Sequence, residues 1–192
     1  MIGVLRPDYP IQTDRLLLRP FEDRDLDELV DIQARPDVAA YLYWEPRTRP
    51  QVVEQLARLK AMDRIDESSD SVRLAALRRD TGALVGDYSL RLHSREHAQG
   101  EIGYITHPDH QGHGYATEGC LPLLRLGFEV LGLHRIFGNC DGRNAASARV
   151  MERLGMRREA HLRENEYVKG AWTDEVIYAI LASEWRERDL RR

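Results

Sequence analysis

One glycine-rich segment constrains this chain more than any other: Gln111-Gly112-His113-Gly114-Tyr115-Ala116. It lies between a strand-like run at 101–107 and a helix-like run at 117–131. Glycine reaches positive φ and lets a ligand approach the backbone closely. The first turn of a helix leaves its N–H donors without partners and carries the positive end of the helix dipole. A strand that joins a helix through glycines therefore predicts a phosphate site, above all for a pyrophosphate.

Three kinds of phosphate loop compete for this segment. A Walker loop ends in Gly-Lys-Ser/Thr, and the chain contains no such tripeptide. A dinucleotide fingerprint needs Gly-x-Gly-x-x-Gly, but Thr117 occupies the position of its third glycine. The third pattern, Gln/Arg-x-x-Gly-x-Gly/Ala, fits Gln111, Gly114 and Ala116. An ordinary glycine-rich turn before a helix stays open as the alternative.

Composition limits the class of protein. The 192 residues suit one domain with a substantial core, and we expect a single domain over 1–192. The formal net charge of −4 argues against a general nucleic-acid surface. No apolar run approaches the length of a membrane span, and charges interrupt the first twenty residues, which predicts neither a membrane anchor nor a signal peptide. Cys120 and Cys140 have no metal or redox spacing, so we expect a cytoplasmic protein with reduced thiols.

Hydrophobic periodicity predicts the secondary structure. Strands are expected at 16–18, 72–78, 84–92, 101–107, 133–140, 156–168 and 173–181. Helices are expected from a cap at Asp23 to Gln33, around Val38 to Leu42, at 51–62, at 117–131, and from a cap at Asn144 to Gly155. This order predicts a mixed α/β (α+β) fold with one mostly antiparallel central sheet of about seven strands, flanked by helices.

Six segments, in order along the chain, resemble the GNAT superfamily of N-acetyltransferases, and most closely its RimJ/RimL (ribosomal-protein-alanine N-acetyltransferase) type. The segments are TDRLLLR at 13–19, VG at 85–86, EIGY at 101–104, HGYATE at 113–118, RNAAS at 143–147 and LGM at 154–156. The resemblance covers most of the chain from Thr13 to Trp185. It implies the GNAT fold and an enzyme that transfers the acetyl group of acetyl-CoA to an amine.

The resemblance also implies where acetyl-CoA binds. The CoA pyrophosphate is expected on the backbone N–H groups of Gln111, Gly112, His113, Gly114, Tyr115 and Ala116. The strand before this loop splays from its neighbour in the family, and the pantetheine arm is expected along Tyr104, Ile105, Thr106 and His107. Asn144 would contact the same arm in addition to capping its helix. His113 stands where family members often carry Arg or Lys, so part of the CoA affinity is expected to depend on pH.

Acetyl transfer needs a neutral amine, a polarised thioester carbonyl and a stabilised thiolate. Similar enzymes often have a carboxylate where this chain has Glu101, so Glu101 is the candidate base, directly or through water. Its alternative is a solvated glutamate at a strand end. Ser147, one turn after Asn144, is the candidate hydrogen-bond partner and proton donor of the thiol. Many superfamily members use a tyrosine further along this helix, and none follows here.

The acceptor is expected to be a primary amine, most of all the α-amine of a protein N-terminus, which attacks the thioester directly. Two alternatives stay open: a small-molecule amine (antibiotic, polyamine or amino acid), and a CoA-binding sensor without catalysis. Dimers are common in similar proteins, so a homodimer is considered. His107, His110 and His113 have a metal-like spacing, but Pro108 and glycines interrupt any helix there, and no metal is expected.

Overall fold

The protein is built around one eight-stranded sheet. The structure, a computed structural model, describes residues 3–189, of residue 189 the backbone alone. The strands are β1 (Ile11–Gln12), β2 (Leu16–Pro20), β3 (Ser71–Arg78), β4 (Leu84–Ser94), β5 (Gln99–Thr106), β6 (Arg135–Asp141), β7 (Arg157–Val168) and β8 (Ala171–Leu181). The helices are α1 (Leu26–Gln33), α2 (Pro36–Ala39), α3 (Arg49–Lys60), α4 (Tyr115–Arg125), α5 (Ala145–Arg153) and α6 (Ala182–Asp189).

The strand order is β1-β2-β3-β4-β5-β6-β8-β7, and every neighbouring pair is antiparallel except β5 with β6. The mixed, mostly antiparallel sheet expected from the sequence is therefore confirmed. The prediction of about seven strands omitted β1, which has two residues and pairs only with β2. So short a strand shows no hydrophobic alternation, and its position becomes visible only through its partner.

Strands β5 and β6 pair only at their beginnings. The parallel register runs from Gln99 with Arg135 to Glu101 with Phe137 and ends there. Beyond Glu101, β5 keeps its antiparallel partner β4 as far as Thr106. The two central strands therefore separate toward their carboxyl ends, and the sheet has an opening in the middle.

Helices cover both faces of the sheet. Neighbouring residues of β3 belong to different core clusters, with Leu74 packed among residues of α4 and Ala75 among residues of α1 and α3. Successive side chains of a strand point to opposite faces, so α4 and α5 lie on one face and α1 to α3 on the other. The opening between β5 and β6 thus connects two differently covered surfaces.

Backbone geometry confirms several local expectations. Asn144 caps α5, with its side-chain oxygen accepting from the N–H of Ser147 at 3.0 Å. Gly132 and Gly155 have φ of +71° and +87°, values that glycine adopts readily at the ends of helices. The β7–β8 hairpin turns at Lys169 and Gly170, as expected.

Other boundaries differ from those expected. Helix α4 begins at Tyr115, not at 117, because Gly114 in the left-handed region starts it. It continues as a π-helix over Leu126–Val130. The first helical segment starts with a 3-10 turn at Asp23–Asp25 that follows Glu22, so Asp23 is not its cap. Helix α2 ends at Ala39, before Leu42, and α6 was not predicted. Within residues 3–189, no helix is long and apolar enough to cross a membrane.

Candidate active site

The glycine-rich loop presents a row of free N–H groups. Gly112 and Gly114 have φ of +78° and +81°. The first helical hydrogen bond of α4 runs from the N–H of Glu118 to the carbonyl of Gly114, at 3.0 Å. Among the described residues, no hydrogen bond engages the N–H groups of residues 112–117. These donors converge at the positive end of a helix, the arrangement that binds phosphate groups through main-chain atoms.

A cavity of about 400 Å³ lies beside this loop and reaches β5 and α5. Ten of the twelve residues expected to bind CoA line it: Tyr104, Ile105, Thr106, Gln111, Gly112, Gly114, Tyr115, Ala116, Asn144 and Ser147. The cavity thus joins the free N–H groups to the opening between β5 and β6.

His107 and His113 do not line the cavity. The His107 side chain is buried, and its Nε2 lies 2.8 Å from a carboxylate oxygen of Asp31 on α1. Its Nδ1 accepts from the N–H of Asp109, so Nε2 carries the proton and donates. The His113 ring lies tilted beside the Tyr115 ring, with 5.8 Å between ring centroids. The His107 side chain thus faces α1, and its backbone N–H and carbonyl already have partners in Val85 and His110. No group of residues within 3–189 is suited to hold a metal ion.

The backbone of β5 faces the opening at alternate residues. The N–H of His107 donates to the carbonyl of Val85 at 2.7 Å, so this residue faces β4. Peptide groups of a strand alternate in direction, hence those of Tyr104 and Thr106 face the opening. The carbonyl of Thr106 accepts from the Gln111 side chain at 3.1 Å, in agreement with this direction. The open edge can pair with an extended amide-containing chain.

Ser147 lies across the cavity from β5 and meets a tyrosine. The Tyr104 hydroxyl is 2.8 Å from both the carbonyl oxygen and the hydroxyl of Ser147. Burial raises the pKa of Tyr104 well above its usual value, more than the Ser147 hydrogen bond lowers it. The phenol is therefore protonated at neutral pH. The sequence predicts only a backbone role for Tyr104.

Glu101 lies on the other face of the sheet. Ile105 packs among α1 and α3 residues, and Glu101, four residues earlier on the same strand, shares its face. The Glu101 carboxylate is 2.8 Å from Nη2 of Arg91 and does not line the cavity. It stands where β5 and β6 last pair, at the closed end of the opening.

Two further carboxylates gather on that face around Tyr43. The Tyr43 hydroxyl donates to Glu166, 2.8 Å from one oxygen and 2.9 Å from the other. Burial raises the pKa of Tyr43, and Glu166, Glu175 and Glu101 raise it further. Glu175 accepts from Asn165 at 2.8 Å and from Asn139 on β6. The part of the sheet surface that carries Tyr43, Glu101, Glu166 and Glu175, here called the acidic face, suits an ammonium group.

Sequence reasoning missed several cavity residues. Asp37, Val38 and Leu42 reach it from the α2 region, His110 and Thr117 from the loop and α4, and Ala146, Arg149, Val150 and Arg153 from α5. The spacing of the α5 residues repeats every three to four positions, a signal that was available in the sequence. Burial lowers the pKa of His110, and the nearby His107 lowers it further.

Comparisons with known proteins agree with this geometry. The family model described as "Acetyltransferase (GNAT) domain" matches residues 15–157. An uncharacterized N-acetyltransferase of Bacillus subtilis (strain 168), YnaD, is 33% identical over 175 residues, which cover 91% of this chain and 98% of that protein. A solved GNAT-family acetyltransferase structure from Bacillus anthracis superposes with a TM-score of 0.80 at 29% identity, over 90% of this chain and 98% of the other.

Two relatives carry names that state an acceptor. The ribosomal protein uS5-alanine N-acetyltransferase of Escherichia coli (strain K12) is 26% identical and covers 93% of this chain and 94% of its own length. The spermidine N(1)-acetyltransferase of Vibrio cholerae is 25% identical, and the match covers 91% of this chain and 97% of that protein. The family match spans well over half of the chain and agrees with the free N–H groups beside the split sheet. This chain belongs to the GNAT family and is an acetyl-CoA-dependent N-acetyltransferase.

Proposed function

We propose that this enzyme acetylates the N-terminal α-amine of a protein. The observation that carries the proposal is the opening between β5 and β6, which has the free N–H groups of residues 112–117 on one side and the acidic face on the other. Acetyl-CoA would occupy the cavity, with its pyrophosphate on residues 112–117 and its arm along Tyr104 and Thr106. The acceptor would reach the thioester from the acidic face.

The roles of the side chains follow from their placement. The amine nitrogen attacks the thioester carbonyl, and the C–S bond breaks as the tetrahedral intermediate collapses. We assign the removal of the amine proton to Glu101, directly or through water, because its carboxylate lies at the closed end of the opening. We assign contact with the thiol to Ser147, which lines the cavity.

Basicity favours an α-amine over an alkyl amine. An N-terminal amine has a pKa of about 8, whereas a lysine-like amine has a pKa of about 10.4. At pH 7.5 the fraction of neutral amine, the form that attacks, is therefore more than about a hundredfold larger for the α-amine than for the lysine-like amine. The E. coli relative that modifies ribosomal protein uS5 supports the same choice.

A mass-spectrometric panel tests the proposal. Each peptide carries one free N-terminus and one internal lysine, and its matched control has an acetylated N-terminus. We expect acetyl-CoA-dependent gain of one acetyl group at the free N-terminus and none in the control. Modification of lysine alone, or of no peptide under conditions where a small amine is acetylated, would contradict the proposal.

One observation favours a second candidate, a small polycationic amine. Glu166 and Glu175 both raise the pKa of Tyr43, and among the described residues no ion pair engages either, which gives more negative charge than a single ammonium requires even though Arg91 pairs with Glu101. The Vibrio cholerae relative is named for spermidine. Including spermidine in the same panel decides between the two, since a polyamine enzyme would prefer it over every peptide by a large factor in kcat/KM.

A further inference from the structure

The chain has a phenol close to the expected thiol site, although its helix lacks one. No tyrosine follows Ser147 on α5, and Met151 on that helix is 1% exposed and packs in the core. The Tyr104 hydroxyl enters instead from β5, 2.8 Å from the Ser147 hydroxyl. Tyr104 and Ser147 are 43 positions apart, so no local motif signals this contact.

The hydrogen bonds of this pair fix its orientation. A carbonyl oxygen only accepts, so the contact between Tyr104 and the Ser147 carbonyl uses the phenolic proton. The phenolic oxygen can then accept from the Ser147 hydroxyl. This arrangement leaves the Ser147 proton as the mobile one, able to turn from Tyr104 to a ligand. Tyr104 holds the serine oxygen in place, while the phenolic proton stays in its hydrogen bond to the Ser147 carbonyl.

The pair lies where a thioester would have to pass through the sheet. The opening ends where Glu101 pairs with Phe137, and Tyr104 follows Glu101 by three residues on β5. An extended strand rises about 3.4 Å per residue, so Tyr104 lies about 10 Å from the closed end. Thr106, on the loop side of Tyr104, lies beside Gln111. An arm held at the loop and running along β5 toward the closed end of the opening therefore passes Tyr104 and Ser147.

We propose that Tyr104 is a positioning residue that holds the Ser147 hydroxyl as the hydrogen-bond donor to the departing CoA sulfur. The inference rests on the proposed binding of acetyl-CoA in this cavity. In the reaction the amine nitrogen bonds to the carbonyl carbon and gives its proton to the base. The C–S bond then breaks, and sulfur leaves with the electron pair. Ser147 donates a hydrogen bond to that thiolate without transferring its proton.

Binding of CoA and desulfo-CoA, measured by calorimetry, tests the proposal without catalysis. The two ligands differ only at the sulfur. We expect the wild-type enzyme to prefer CoA by about two- to tenfold, the range of one hydrogen bond, and more strongly as pH rises and the thiol ionises. Tyr104→Phe and Ser147→Ala should each remove this preference and leave desulfo-CoA affinity unchanged. The double variant should lose no more than either single variant.

Kinetics and a matched control complete the test. Tyr104→Phe should lower kcat with little change in the KM for acetyl-CoA. Tyr9→Phe is the control, because the Tyr9 hydroxyl also donates to a carbonyl, that of Asp63 at 2.6 Å, and lies outside the cavity. It should keep the preference for CoA. Equal weakening of both ligands by Tyr104→Phe, or a preference retained in Ser147→Ala, would overturn the inference. Wild-type enzyme that binds neither ligand would contradict the proposed cavity itself.

Discussion

Arg15 pairs with Glu118 in the first turn of α4, next to the free N–H groups of residues 112–117, and this pair is here called the clamp. Its Nε and Nη2 lie 2.7 and 2.6 Å from one Glu118 oxygen, and its backbone N–H is 2.7 Å from the other. The same guanidinium donates to the carbonyl of His113 at 3.0 Å. Two segments of the family resemblance, at 13–19 and 113–118, are therefore one structural unit. The clamp holds the loop in the shape that leaves its N–H groups free.

The clamp should make the protein sensitive to acid. Burial alone would raise the pKa of Glu118, but hydrogen bonds from Thr13 and Arg15 outweigh it and hold this pKa below its usual value. A lowered folded-state pKa stabilises the fold above the ordinary glutamate value of about 4.3, and this contribution is lost as pH falls below it. Denaturant unfolding at pH 7 and pH 3.5 should show Glu118→Gln destabilised relative to wild type at pH 7, by about 1–3 kcal/mol. The difference should shrink at pH 3.5. An equal difference at both pH values would contradict this linkage.

Gly114→Val should weaken CoA binding about a hundredfold or more while the protein still folds. A valine at φ of +81° is strained, so the loop would shift and displace its free N–H groups. The valine Cβ itself would lie 3.7 Å from Nη2 of Arg15. Losing two phosphate contacts costs about 3 kcal/mol or more, roughly a hundredfold in Kd by calorimetry. Gly82→Val is the matched control, because Gly82 has φ of +76° in the β3–β4 turn, outside the cavity. Similar thermal destabilisation with unchanged CoA affinity is expected there. Normal CoA affinity in Gly114→Val would remove the loop from the site.

Glu101→Gln should separate catalysis from cofactor binding. Removing a general base lowers kcat by about 10²- to 10⁴-fold, and the amide cannot take the amine proton. The Kd for CoA should stay within about twofold, because Glu101 lies outside the cavity. Arg91→Gln is the control: it removes the ion pair at 2.8 Å and leaves the carboxylate. A pH–rate profile of Glu101→Gln that matches wild type would assign the base to another group.

Arg149 and Arg153 should contribute to CoA affinity through charge. Both are exposed on α5, both line the cavity, and no ion pair within residues 3–189 engages either one. Like charges one turn apart repel each other, whereas a phosphorylated ligand between them is attracted. Each change to Gln should weaken CoA binding about two- to fivefold and flatten its salt dependence. Arg58→Gln, an exposed arginine outside the cavity, should change neither. If the variant with both changes, Arg149→Gln and Arg153→Gln, bound CoA with the same salt dependence as wild type, these arginines would not contribute to CoA affinity through charge.

Local backbone features were accessible from the sequence. Gly114, Gly132 and Gly155 adopt the positive φ that their positions indicated, and Asn144 caps its helix. These features depend on intrinsic preferences of one residue and its immediate neighbours, so a single sequence carries them. The order of strands and helices followed from hydrophobic periodicity for the same reason.

Contacts between distant segments were not accessible. His107 was expected along the pantetheine edge, yet it pairs with Asp31, 76 positions earlier. The phenol of Tyr104 and the carboxylates around Tyr43 are likewise assembled by packing of several elements. The sequence does not predict helix α6, because its residues are mostly charged and show no apolar stripe. Such features depend on which faces meet after folding, and periodicity alone does not determine that.

A crystal structure with CoA tests the central claim most directly. We expect the pyrophosphate oxygens within hydrogen-bond distance of backbone N–H groups in residues 112–117, and the pantetheine amides paired with the open edge of β5 at Tyr104 and Thr106. Density for CoA at another place on the protein, with these N–H groups contacting only water at saturating ligand, would contradict the account.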